Sequence, residues 1–179
     1  RWPIPQRQLL AAIDHVRTNC DAYHVDPGAV VVMGFSAGGH LAGCAGTMWN
    51  KPEIYRPLKK KSAAFRPDGM VLGYPVVSSG EFAHRASFVN LLGDRYEELL
   101  ETASLEKQVK KQSPPAFFWH TADDTSVPVE NTFLLEKALQ AKKIPVETHI
   151  YPHGSHGQSL ADRTVYSPET MWMLSVPCA

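Results

Sequence analysis

The stretch AVVVMGFSAGGH, residues 29–40, determines the fold class of this chain. Its first half, Ala29 to Met33, is a short apolar run of mainly β-branched residues, which is typical of a strand buried on both faces. A glycine-rich turn follows, and the composition of Ala37 to Trp49 then predicts a helix. A strand that passes directly into a helix is the unit from which parallel α/β sheets are built.

The segments on either side repeat this alternation. Upstream, apolar residues recur every three or four positions and predict a helix from about Gln6 to Tyr23. Downstream, we predict strands at residues 70–74, 116–119 and 146–151, a helix at 130–143 and a helical insert at about 78–112. The order predicts one α/β domain over residues 1–179, with a mainly parallel sheet and helices on both faces. Ligands of such sheets bind at the carboxyl ends of the strands.

The turn after the first strand matches the pattern G-x-S-x-G through Gly34, Ser36 and Gly38. In a strand–turn–helix context this pattern presents the serine hydroxyl on a strained turn above the sheet edge. The two glycines are expected to be required there, because larger side chains would collide with the neighbouring strand and helix. The backbone N–H of Ala37 would then stabilise an oxyanion. The alternative is a glycine-rich turn whose serine only caps the helix.

Partners for this serine follow in two later loops, each placed just after a predicted strand. The loop at residues 120–128 contains Asp123 and Asp124, and only one can reach a histidine because neighbouring side chains in a loop diverge. The loop at residues 152–157 contains His153 and His156. Its glycines favour His156 as the base. His153 and Phe35 are predicted to line the substrate pocket.

Composition limits the other functions that the chain could have. Eighteen Lys plus Arg balance eighteen Asp plus Glu, so neither a nucleic acid nor an anionic membrane is an expected partner. No apolar run is long enough to cross a bilayer. No histidines have metal-ligand spacing, so neither a metal nor another cofactor is predicted. The three cysteines show no CxxC spacing and are predicted to be free thiols, which favours a cytoplasmic location.

Three segments resemble the α/β hydrolases of the acetyl-esterase and xylan-esterase-like group, which includes feruloyl-esterase-like enzymes. They are residues 34–42 (GFSAGGHLA), 120–131 (HTADDTSVPVEN) and 150–157 (IYPHGSHG). In that group the aspartate of D-x-x-V-P is the triad acid, which corresponds to Asp124. The histidine of G-x-H-G corresponds to His156.

The resemblance implies a serine carboxylic-ester hydrolase that acts on small acyl esters, such as acetyl groups on xylan or another carbohydrate. A peptidase of the same fold and a non-catalytic module of that fold are the alternatives. Strands that precede the first helix in the group have no counterpart before Arg1. We therefore expect a partial domain that lacks N-terminal strands, with a closing helix that is also cut short near Ala179. A homo-oligomer is compatible with the sequence.

Overall fold

The computed structural model describes residues 1–160 of the 179-residue chain. Four parallel strands form one sheet in the order β1 (Val31–Phe35), β2 (Gly69–Gly73), β3 (Ala116–Thr121) and β4 (Val146–Tyr151). Each strand pairs with the next along the chain, so all four carboxyl ends lie at one edge of the sheet. The predicted parallel α/β sheet is confirmed, and its carboxyl edge is where the start of α3 at Ser36 and the loops at 122–128 and 152–157 meet.

Helices connect the strands. They are α1 (Ile4–Thr18), α2 (Cys20–Tyr23), α3 (Ser36–Met48), α4 (Pro52–Tyr55), α5 (Arg85–Leu92), α6 (Tyr96–Ala103) and α7 (Glu130–Ala141), with short 3-10 turns between some of them. The single helix predicted to reach Tyr23 is divided at Asn19. This residue leaves helical geometry, and both its backbone N–H and its side-chain amide donate to the carbonyl of His15.

The first strand lies two residues later than predicted, at Val31–Phe35 instead of 29–33. The reason is its pairing with β2, since the register Gly34↔Leu72 and Phe35↔Gly73 continues the ladder up to the turn. Helix α3 then begins at Ser36 itself. The strand, the turn and the helix are therefore contiguous, and no loop residue separates Ser36 from the sheet.

One face of the sheet carries α3 and α7. A Cβ on Gly46 of α3 would overlap the Met70 side chain of β2, and His120 of β3 contacts Thr132 of α7. Fully buried side chains such as Leu72 and Phe118 point to this face. On the other face, Val31 and Met33 are 53% and 52% exposed, so no helix of residues 1–160 covers them. Helices were predicted on both faces of the sheet, and within residues 1–160 they cover one face. The closing helix predicted after His156 lies outside the described residues.

The segment between β2 and β3 is helical and packs over the amino end of α3. It contains α5 and α6, which lie within the predicted insert at 78–112. Phe88 is 1% exposed and its ring meets that of His40 at 5.4 Å, edge to face. His40 Nε2 donates to the carbonyl of Ala103, which ends α6. The insert is therefore joined to the helix that begins at Ser36.

Two of the three cysteines lie in the described part of the chain, and both are free thiols. Cys44 is buried in α3, and burial raises the pKa of its thiol to about 12. It is therefore inert at neutral pH. Cys178 lies outside the described residues, and the cytoplasmic location stays a prediction. No helix within residues 1–160 combines the length and the apolar character needed to cross a membrane.

Candidate active site

Ser36 occupies the turn between β1 and α3 with a backbone φ of 53°, in the left-handed region that non-glycine residues rarely adopt. The turn leaves no room at Gly34, where a Cβ would stand 2.2 Å from the carbonyl oxygen of Gly38. At Gly38 the predicted crowding is wrong for the described residues, because a Cβ there meets no atom within 4 Å. The tight contact falls instead on Gly39, whose Cβ would lie 2.9 Å from Pro75.

The structure brings Ser36, His156 and Asp124 together in one hydrogen-bonded chain. His156 Nδ1 lies 2.6 Å from Asp124 Oδ2, and His156 Nε2 lies 2.8 Å from Ser36 Oγ. A carboxylate can only accept, so Nδ1 carries the proton and Nε2 accepts from the Ser36 hydroxyl. This is the tautomer in which a histidine can remove a proton from serine.

Asp124 is a buried carboxylate whose hydrogen bonds keep it ionised. It is 6% exposed, and burial by itself would raise the pKa of its carboxyl group. Hydrogen bonds from His120, His156 and the backbone N–H groups of Val127 and Ser126 outweigh burial and lower that pKa to about 2. The two backbone donors reach Oδ1 at 2.9 Å each. Asp124 is therefore a carboxylate at neutral pH and can stabilise a positively charged His156.

The loop that carries His156 is fastened to the end of β3 through Gly154. Its N–H donates to Asp123 Oδ1 at 2.8 Å, and its carbonyl accepts from the hydroxyl of Thr121 at 2.7 Å. Asp123 also contacts His153, whose Nδ1 is 3.1 Å from Asp123 Oδ2. The two adjacent aspartates thus have separate partners, because Asp123 holds the loop and Asp124 holds the imidazole.

Tyr74 supports His156 from the end of β2. The two rings meet at 4.9 Å, nearly perpendicular, and the Tyr74 hydroxyl accepts from the backbone N–H of Ser159 at 2.7 Å. Tyr74 is 5% exposed and has a φ of 34°, so its backbone is also in the left-handed region. Backbone strain of this kind concentrates at functional sites.

A cavity of about 330 Å³ opens beside Ala37, the residue that follows Ser36. Its walls include Ala37, Leu41, Val76 and Phe88, so the insert forms one side of it. Ala37 lies in the first turn of α3, where backbone N–H groups have no partner within the helix. The cavity is therefore placed next to the N–H that the sequence predicts as an oxyanion donor.

The two residues predicted to line the pocket are placed differently from the triad. Phe35 packs against Tyr74, with 5.8 Å between ring centroids, and a Cβ on Gly73 would collide with its ring. The His153 side chain is 67% exposed and is paired with Asp123. The structure gives these two residues contacts within the protein, and their binding to substrate stays a prediction.

Sequence reasoning overlooked three residues of this site: Tyr74, His120 and Thr121. The usable signal was position, because each stands at the carboxyl end of a strand, where the chemistry of parallel sheets collects. Within residues 1–160 there is no group of three or more histidine, cysteine or acidic side chains that could hold a metal ion.

Sequence comparison identifies the family. The BD-FAE family matches residues 1–139. The chain is 38% identical over 164 residues to endo-1,4-beta-xylanase B of Butyrivibrio fibrisolvens, which covers 91% of this chain and 26% of that protein. It is 31% identical over 173 residues to an acetylxylan esterase of Xylanibacter ruminicola, which covers 90% of this chain and 34% of that protein. The chain belongs to the BD-FAE family of α/β hydrolases.

Solved structures agree with this assignment. An acetyl ester-xyloside bifunctional hydrolase from Caldicellulosiruptor lactoaceticus superimposes with a TM-score of 0.79 at 42% identity, over 93% of this chain and 61% of that one. A carboxylesterase from Lactobacillus plantarum gives a TM-score of 0.76 at 29% identity, over 93% and 60%. The α/β-hydrolase fold is therefore shown, and the chain spans between a quarter and about three fifths of the length of these four proteins.

Proposed function

We propose that this chain carries the triad of a serine carboxylic-ester hydrolase, with Ser36 as nucleophile, His156 as base and Asp124 as acid. The observation that carries the proposal is the hydrogen-bonded chain from Ser36 Oγ through both nitrogens of His156 to Asp124. The names of the relatives, among them an acetylxylan esterase and a carboxylesterase, support ester hydrolysis over peptide hydrolysis.

The geometry accounts for both halves of an acyl transfer. In the first, His156 Nε2 takes the proton of Ser36 as its Oγ bonds to the ester carbonyl carbon, and the N–H of Ala37 stabilises the oxyanion. The protonated His156 then gives the proton to the departing alcohol, which leaves an acyl-serine. In the second half, His156 removes a proton from water, the hydroxide attacks the acyl carbon, and the returned proton restores Ser36 as the acid departs.

The substrate class that we propose is a small acyl ester, with acetyl groups on xylan or related carbohydrates as the specific case. The acetyl part of the proposal rests on the names of the relatives, among them an acetylxylan esterase. The cavity of about 330 Å³ beside Ala37, with Phe88 of the insert in its wall, is the space that we propose for the substrate. The carbohydrate part of the proposal rests on the names of an acetylxylan esterase and an acetyl ester-xyloside hydrolase.

Hydrolysis of p-nitrophenyl acetate by the full-length protein and by Ser36→Ala tests the triad. Loss of the nucleophile is expected to lower kcat by at least about 10³-fold, since catalysis then relies on binding and oxyanion stabilisation alone. Ser62→Ala is the matched control, because Ser62 lies in a 3-10 turn between α4 and β2, away from the site. Full activity in Ser36→Ala would show that Ser36 is not the nucleophile.

Two comparisons test the substrate class. The protein should hydrolyse p-nitrophenyl acetate faster than p-nitrophenyl octanoate and should release acetate from acetylated xylo-oligosaccharides. A preference for octanoate contradicts the small-acyl proposal. Cleavage of peptide amides without hydrolysis of acetyl esters would indicate a peptidase. A serine that a fluorophosphonate does not label would indicate a non-catalytic module.

A further inference from the structure

His120 is a second histidine on the proposed acid, and the triad mechanism does not use it. It lies at the end of β3, is fully buried, and contacts Asp124 together with His156. Its Nε2 is 3.3 Å from Asp124 Oδ2, the same oxygen that accepts from His156 Nδ1 at 2.6 Å. One carboxylate oxygen is therefore shared by two histidines.

The surroundings of His120 determine which atom donates. Its Nε2 also lies 3.0 Å from the backbone carbonyl oxygen of Val127, which can only accept a hydrogen bond. Nε2 must therefore carry a proton, and this N–H points between the Val127 carbonyl and Asp124 Oδ2. The other nitrogen, Nδ1, is 2.8 Å from Thr132 Oγ1 on α7. The ring is thus held at both ends and cannot rotate without losing hydrogen bonds.

We propose that His120 is a positioning residue that holds the Asp124 carboxylate in the plane required by His156. The inference rests on the proposed triad of Ser36, His156 and Asp124. Backbone N–H groups hold Oδ1, but among the described residues the only donor to Oδ2 other than His156 is His120. Without it, only the two hydrogen bonds at Oδ1 hold the carboxylate independently of His156, so the group turns more easily about its Cβ–Cγ bond and fixes the His156 ring less firmly.

The proposal also explains a feature of the sequence. His120 lies near the end of β3 and Asp124 lies four residues later, in the turn that follows the strand, where the chain turns back so that the two side chains meet. Thr132, in the first turn of α7, contacts the other nitrogen of the same ring. The buried His120 ring therefore connects α7, the end of β3 and the loop that carries Asp124.

The test compares His120→Leu, His120→Gln and the wild type in the full-length protein, with His149→Leu as the matched control. His149 lies on β4 with a half-exposed side chain. Each kcat is divided by the concentration of Ser36 that a fluorophosphonate can titrate. In His120→Leu we expect kcat per titrated site to fall on the order of 10²-fold with little change in KM, because a small displacement of a catalytic group has that cost. His120→Gln keeps a donor at a similar reach and should recover most of the loss.

A purely structural role would give a different result. His120→Leu would then show fewer titratable sites and a lower Tm but an unchanged kcat per site, which would overturn the proposal. If His120→Leu does not fold, His120→Phe replaces it, since a ring of similar size fills the buried space but donates no hydrogen bond to Asp124 Oδ2. An unchanged kcat per site in His120→Phe would then also overturn the proposal.

A proton NMR measurement separates this inference from the proposed function. The Nδ1 proton of His156 in a hydrogen bond of 2.6 Å to a carboxylate should resonate at low field. We expect this signal to broaden or vanish in His120→Leu and to persist in His149→Leu. A wild type that neither hydrolyses esters nor reacts with the fluorophosphonate would contradict the proposed function, whereas an unchanged signal in His120→Leu would overturn the role of His120 alone.

Discussion

At the scale of single residues, the adjacent aspartates show how position determines role. Asp124 points inward, accepts from two histidines and two backbone N–H groups, and has a carboxyl pKa lowered to about 2. Asp123 points outward, where hydrogen bonds from His153 and the Gly154 N–H lower the pKa of its exposed carboxyl group. Two residues of identical chemistry are thereby divided between the proposed triad and the support of its loop.

The pair Asp124→Asn and Asp123→Asn tests this division. Asp124→Asn is nearly isosteric, but its amide cannot hold His156 in the required tautomer, so kcat should fall by about 10⁴-fold, as in other serine triads. Asp123→Asn keeps an acceptor for the Gly154 N–H and should retain activity within about 5-fold, because its contacts are exposed. Steady-state kinetics on p-nitrophenyl acetate measures kcat for both variants and for the wild type. Equal losses in the two variants would contradict the separate roles.

At the scale of secondary-structure elements, the turn between β1 and α3 is closely packed on both of its sides. Gly34 faces the carbonyl of Gly38, and Gly39 faces Pro75 at the end of β2. The backbone N–H of Val76 donates to the carbonyl of Ser36, which joins the turn to the segment that follows β2. The strained φ of Ser36 is therefore maintained by contacts with the adjacent strand and not by the turn alone.

Gly34→Ala and Gly38→Ala make a matched pair at this turn. The first places a methyl group against a backbone oxygen that cannot move aside, so we expect a loss of about 3 kcal/mol or more in the free energy of unfolding. The second places a methyl group in open space on a helix, and its effect should be within about 1 kcal/mol, with a gain from helix propensity. Urea denaturation measures both. A Gly38→Ala variant as unstable as Gly34→Ala would show that a side chain at residue 38 does collide with its surroundings, as the motif predicts.

At the scale of the whole molecule, the acid of the site is coupled to the stability of the fold. Asp124 has an ordinary carboxyl pKa of 3.8 when unfolded and about 2 when folded. A group whose pKa is lowered by folding stabilises the protein above its unfolded pKa and ceases to do so as the pH falls through the folded pKa. The stabilisation from Asp124 is therefore complete above about pH 4 and is lost as the pH falls towards 2.

Denaturation of the wild type and of Asp124→Asn at pH 6 and near pH 2 measures this coupling. The wild type should lose about 2 kcal/mol more than the variant between the two conditions, since a shift of one pKa unit corresponds to about 1.4 kcal/mol. The other carboxyl groups titrate in both proteins and cancel in the comparison. Parallel losses in the two proteins would show that Asp124 has the same pKa folded and unfolded.

The sequence by itself determined the class of fold, the strands to within about two residues and the three residues of the proposed triad. Local patterns carry these features, because apolar runs predict strands, glycine spacing predicts the turn after β1, and each partner lies in the loop that follows a strand. The choice of Asp124 over Asp123 came from the resemblance to the D-x-x-V-P segment of the esterase group. The strand at 146–151 matches its prediction because Pro145 precedes it and Pro152 ends it.

Only the tertiary structure decided how these residues are held. The contact of His120 with Asp124, the support of His156 by Tyr74 and the fastening of Gly154 by Thr121 and Asp123 all join different elements. Such contacts depend on the parallel register of four strands, which places the ends of β2, β3 and β4 side by side. The pattern of a single segment does not show which residues of other strands lie beside it. For this reason the sequence predicted a steric clash at Gly38, whereas in the structure the close contact, with Pro75, is at Gly39.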